Sequence, residues 1–153
     1  MNILILGGAY SEDKKNTFLR NSKRGYSYSA QTFQEALFDG ILANNSNFYC
    51  LSTPYLSTFP FGYRCPIVKS GAFIYKGSKC GHTFGSLNLP FLRDVSIRRY
   101  MKYVKRWVAS TSGKRVVLMY NLSVWQIKWF WQISMPPGRQ TISVSVPRIC
   151  RQK

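Results

Sequence analysis

The sequence predicts an α/β fold: an open parallel sheet between two layers of helix, three layers in all. Three observations carry this. Short runs such as Ile3-Leu4-Ile5-Leu6 are apolar at every position, as strands buried on both faces are. Longer stretches between them repeat apolar residues at helical spacing. The resulting order, β-α-β-(loop)-α-β, fits parallel strands joined by right-handed crossovers. The expected strand order is 3-2-1-4, with Ile3 to Leu6 central.

The first strand ends at Gly7-Gly8, a tight loop. Charged and polar residues up to Arg24 read as a loop. Phe33, Ala36, Leu37, Ile41 and Leu42 then mark a helix, with Ser27 or Ser29 as its cap and Asn44-Asn45 as its end. Phe48 to Leu51 is the second strand, stopped by Ser52-Thr53-Pro54. Residues 54 to 92 read as irregular, with a strand at Ala72 to Tyr75. Asp94 or Ser96 caps a helix whose apolar stripe is Ile97, Tyr100, Met101, Val104, Trp107 and Val108, with Arg98, Arg99, Lys102, Lys105 and Arg106 opposite. Ser110 to Gly113 ends it, and Val116 to Tyr120 is the last buried strand.

Charge divides the chain unevenly. The 153 residues carry a net charge of +17, which favours polyanions as partners. All five acids, Glu12, Asp13, Glu35, Asp39 and Asp94, precede residue 95, and the 59 residues after Asp94 hold twelve Lys/Arg and none. Ordinary composition would place roughly seven acids there. Residues Gly40 to Tyr63 are uncharged, but the Asn, Ser, Thr and Pro spread through them exclude a membrane span. Cys50, Cys65, Cys80 and Cys150 form no C-x-x-C pair, and the short apolar run at the N-terminus is no signal peptide. The thiols therefore read as reduced and the protein as cytoplasmic. No metal site is expected: Cys80-Gly81-His82 lacks neighbouring ligands.

Five segments taken in order, "ILILGG", "SKRGYSYSAQTFQEAL", "FYCLSTPYLSTFP", "LNLPFLRDVSIRRY" and "VVLMYNLSV", resemble the acceptor-side half of bacterial family 4 glycosyltransferases. The resemblance spans residues 1 to 128. It implies a Rossmann-like domain, one of two facing each other across the cleft of a B-type glycosyltransferase. The acceptor would sit on this half and the nucleotide-sugar on the other. That second domain is expected to be missing here, so the fragment is expected to be inactive alone, with no cofactor of its own.

The resemblance implies substrate-binding residues at Gly7 and Gly8, in the loop after the first strand, and at Lys23, Arg24, Gly25 and Tyr26 before the first helix. Glycine lets backbone amides approach an anion, but a tight turn needs it equally; cations before a helix suit a phosphate or simply solvate. Ser123 falls where several relatives have histidine, which puts an imidazole role there in doubt. His82, the only histidine, reads as a surface residue, and Glu35 and Asp39 as a solvated helix face. Two other classes of function compete. The basic helix could track nucleic-acid phosphates, yet its aromatics lie on the apolar stripe and no nucleic-acid motif is present. An anionic membrane surface is the other partner, compatible with a peripheral transferase.

Residues 129 to 153 break the pattern, and the genetic code offers a reason. If the third base of Trp129 opens a new codon, Trp129-Phe130-Trp131 becomes Val-Leu-Ala and Met135 becomes Ala. The degenerate codons between them permit "VLADKYA", a helix continuing Gln126 to Lys128. The other shifted frame puts glycine at both tryptophans. The tail is therefore expected to be out of frame. As written, 124–133 can remain helical to Pro136-Pro137, and Ile142, Val144 and Val146 alternate with polar residues as a half-exposed edge strand.

Overall fold

The computed structural model describes residues 1–23, 28–44, 46–90, 92–120 and 144–145, with 93–99 and 144–145 described through their backbone. The chain forms β1 (Asn2–Gly7), α1 (Glu12–Asn21), α2 (Tyr28–Ala43), β2 (Asn47–Ser52), β3 (Ile67–Val68), β4 (Gly71–Tyr75), β5 (Ser78–Thr83), β6 (Ser86–Leu87), α3 (Arg93–Ser110), β7 (Arg115–Met119) and β8 (Val144–Ser145). It is an α/β fold with a mixed six-stranded sheet in the order β4-β5-β2-β1-β7-β8; β3 and β6 make a small antiparallel pair.

Alternation along β1 explains the three layers. Ile3 and Ile5 face α2, packing with Phe38, Ile41, Phe48, Cys50 and Phe73. Leu4 and Leu6 face α3, packing with Tyr100, Met101, Val104, Val117 and Met119. Each such side chain contributes about 1.5–3 kcal/mol when removed from water. β1 runs parallel to β2 and β7, with Ile3 beside both Phe48 and Val116. A third cluster, Tyr10, Phe18, Leu56, Tyr63 and Val68, fixes α1 and the 54–68 segment to the flank. No described helix is long and apolar enough to cross a membrane.

The parallel core β5-β2-β1-β7 has the expected order, but its third strand is not the expected one. Ala72 to Tyr75 belongs to β4, an antiparallel edge strand. The parallel neighbour of β2 is β5, Ser-Lys-Cys-Gly-His-Thr, which has no apolar run to reveal it. Gly81 makes the pairing possible, since a Cβ there would lie 1.9 Å from the Cys50 carbonyl oxygen. The two strands meet in a hairpin whose Lys76 and Gly77 both have positive φ, 48° and 73°, the conformation a two-residue turn requires.

Other expectations are corrected. The charged stretch after Gly8 contains α1. Only Phe18 of that helix is buried, so it shows no apolar stripe; Glu12 and Asp13 in its first turn suit the helix dipole instead. The buried face of α2 is Gln31, Gln34, Phe38 and Ile41, whereas Phe33 and Leu42 of the expected stripe are exposed. Ser29 lies within α2 rather than before it, and Asp94 and Ser96 lie within α3, preceded by Leu92. His82 is a half-buried residue of β5 that lines a cleft at the surface. β8, within the half-exposed strand expected of the tail, pairs parallel with β7 at the sheet edge; the helix expected at 124–133 and the proposed change of frame lie outside the described residues.

Candidate functional site at the carboxyl edge of the sheet

Where β1 ends, the chain must turn over the sheet with its amides exposed to whatever lies above. In the doubly wound fold this edge opens onto the ligand crevice. Here two glutamines of α2 occupy it. Gln34 Oε1 accepts from the amides of Gly8 at 3.1 Å and Ala9 at 3.2 Å, and Gln31 Oε1 accepts from the Tyr10 amide at 2.8 Å. Their amide nitrogens are also used: Gln34 Nε2 donates to the Ala30 carbonyl at 2.9 Å and Gln31 Nε2 to Glu35 Oε1 at 2.7 Å. Both glutamines are buried. Ser52 Oγ donates to the Ala9 carbonyl, tying the loop to β2 as well.

The glycines are required by close approach. A Cβ at Gly7 would lie 2.2 Å from Gln34 Oε1, and one at Gly8 would lie 2.4 Å from the ring of Tyr55. Of the two readings the sequence left open, the geometry supplies a reason for the tight turn. The Gly8, Ala9 and Tyr10 amides already have acceptors within the chain.

Around this loop stands a rim of aromatic rings. The Tyr55 hydroxyl donates to the Tyr120 carbonyl at 2.9 Å, and Tyr120, just beyond β7, stacks on Phe33 at 5.2 Å. Tyr10, whose hydroxyl donates to the Tyr55 carbonyl, is pushed up to about 12 by burial and by its neighbour Tyr63, so it stays a donor at neutral pH. Phe33, Tyr55 and Tyr120 thus gather three rings, half-buried or exposed, beside the ends of β1 and β7. Such surfaces hold ring-shaped ligands by contact and orient them by hydrogen bonds.

The expected site residues are only partly gathered here. Gly7 and Gly8 are at this edge. Lys23 follows α1, a helix about 15 Å long, and is engaged elsewhere: its Nζ donates to the Pro60 carbonyl at 2.8 Å and its amide to Gly62. Among the described residues no hydrogen bond joins it to Gly7 or Gly8. Arg24, Gly25, Tyr26 and Ser123 lie outside the described residues. Glu35 and Asp39 serve separate structural pairs. Glu35 meets Lys15 at 3.3 Å, and Asp39 meets Lys76 at 2.7 Å. The Lys76 and Tyr75 hydrogen bonds hold the Asp39 carboxyl below its ordinary range.

Gln31, Gln34, Tyr55 and Tyr120 carry this edge without standing out in the sequence as ligand residues. One signal was available for the glutamines: they share a helical face with Phe38 and Ile41, and a polar residue on a buried face needs a partner. No protein-family model, curated protein or solved structure matches the chain.

Proposed function

We propose that residues 1–128 are the acceptor-side domain of a two-domain glycosyltransferase, which passes a sugar from a nucleotide-sugar to an acceptor hydroxyl. The observation that carries this reading is the parallel core β5-β2-β1-β7 with an aromatic rim at its carboxyl edge. The resemblance in the five ordered segments adds to it. In such a reaction the acceptor oxygen bonds to the anomeric carbon as that carbon's bond to the phosphate oxygen breaks. The nucleoside diphosphate leaves and the hydroxyl proton is released to it or to water, so most of the rate comes from holding the two reactants in line. The role of this domain is to position the acceptor. Stabilising the departing phosphate falls to groups on the second domain. With the Gly8 to Tyr10 amides engaged by glutamines, the acceptor is held by the faces of Phe33, Tyr55 and Tyr120.

The test is to translate the downstream DNA in the frame that reads Val-Leu-Ala at 129–131. That protein and the 153-residue chain are each titrated calorimetrically with a panel of nucleotide-sugars. Binding that appears only in the longer protein supports the reading, and Tyr55→Ala should then raise the acceptor KM more than it alters nucleotide-sugar affinity. Sugar transfer by the 153-residue chain alone, or a longer protein that binds no nucleotide-sugar, overturns it.

A further inference from the structure

A second concavity lies away from the aromatic rim, between the β3–β6 pair and α3. Its volume is about 720 Å³, within the usual range for small-molecule sites. The floor is built from three rings that hold one another. His82 lies flat on Tyr103 at 5.3 Å with planes 8° apart, and Phe84 stands edge-on to both at 5.0 Å. The floor is therefore fixed before any ligand arrives. Burial first, then Lys14 and Lys79, lower the His82 pKa, so the imidazole is neutral at physiological pH and the floor carries no charge.

The rim is apolar and uncovered. Ile67, Leu87 and Leu92 line the cleft and are 60%, 47% and 40% exposed, a combination typical of interaction sites. The charges that border the cleft are positive. Lys69 lines the cleft beside Ser70, and no acid does among the described residues. On α3, Arg106 stands over the Tyr103 ring at 5.9 Å and Lys102 is exposed. The segment from Ile67 to Leu92 contains no acid, and α3 sets Asp94 against six Lys/Arg.

We infer that this cleft binds a single anionic amphiphile, with its alkyl chain between Leu87, Leu92 and the ring floor and its head group beside Lys69. Apolar walls fit the chain, and the positive border selects a negative head over a neutral or cationic one. A recess with a rigid floor suits one molecule rather than a flat bilayer face. The inference stands apart from the glycosyltransferase reading, since none of these residues belongs to the aromatic rim.

Calorimetry on the whole chain with monomeric decyl phosphate, below its micelle concentration, is the test. One-to-one binding is expected, with decyl glucoside and inorganic phosphate each weaker by about tenfold or more, the equivalent of at least 1.4 kcal/mol. Leu87→Glu places a charge on the apolar rim and should abolish binding. Lys69→Glu should weaken it about tenfold at low salt and less at high salt. Both residues are exposed, so unchanged melting temperatures are expected and checked. Three outcomes overturn the inference: undiminished binding by Leu87→Glu, equal affinity for decyl glucoside, or binding to phosphatidylglycerol vesicles without binding to the monomer. The last would make this face a membrane surface.

Discussion

The loop after β1 and the cleft beside α3 solve opposite problems. In the loop, backbone polarity is concentrated over a buried edge, and the chain answers it internally with Gln31 and Gln34. In the cleft, apolar side chains surround an empty volume and Ile67, Leu87 and Leu92 remain exposed. The loop has the sequence that suggests ligand binding, yet its amides are engaged. The cleft has no motif, yet its surface is open. A motif reports what a backbone can do; only the neighbours determine whether it is still available to do it.

The largest test of this contrast is Gln34→Ala. It leaves the Gly8 and Ala9 amides buried without acceptors, and at about 1–3 kcal/mol per buried group the expected loss is about 2–6 kcal/mol. Urea unfolding measures it. Gln34→Glu keeps an acceptor and should lose less. A loss below about 0.5 kcal/mol, the ordinary scatter of surface substitutions, would mean that the amides find other partners and the loop is not sealed by glutamine.

Gly8→Ala comes next, with an expected loss of about 1–3 kcal/mol from overpacking against Tyr55. The double variant with Tyr55→Ala should be more stable than the sum of the two single losses predicts, because the obstructing ring is gone. Simple additivity would show that Gly8 is there for backbone conformation alone.

At the border between the two regions, Lys14 reaches from α1 to Gly71, where a Cβ would lie 2.3 Å from its Nζ. That ammonium and the Thr83 hydroxyl are buried without hydrogen-bond partners among the described residues. Lys14→Met should therefore stabilise the chain by about 1–2 kcal/mol, because a buried polar group left without a hydrogen bond is costly. Thermal melting that shows destabilisation instead would mean the ammonium is satisfied in solution.

His82 gives the smallest effect. Its folded pKa lies below the ordinary 6.5, so the unfolded chain takes up its proton first as pH falls. Its contribution to stability is present above pH 6.5, declines below that value, and is lost once pH has passed through the folded pKa. His82→Phe should remove this decline, so the two proteins diverge only below about pH 6.5. Parallel stability–pH curves would place the imidazole in water rather than on Tyr103.

How much was legible depended on whether burial left an apolar trace. β1, β2 and β7 are covered on both faces and read as continuous apolar runs, and α3 shows its stripe through Tyr100, Met101 and Val104. β5 was hidden because its place beside β2 depends on Gly81 and on backbone pairing rather than on apolar side chains. α1 was hidden because it contributes only Phe18 to the interior. At the carboxyl edge, Gly7-Gly8 marked the location, but Gln31 and Gln34 come from 21 to 26 residues beyond the amides they accept from. Tyr55 meets Tyr120 across a separation of 65 residues. Nothing local in the sequence encodes such meetings.

Amide hydrogen exchange at Gly8, Ala9 and Tyr10, followed by NMR with and without inorganic phosphate, shows whether glutamine seals the loop after β1. If the glutamines seal the loop, all three amides exchange as slowly as those of β1, phosphate leaves them unchanged, and Gln34→Ala releases Gly8 and Ala9 selectively. Fast exchange that slows only when phosphate is added would contradict the account and return the loop to the role of an anion cradle.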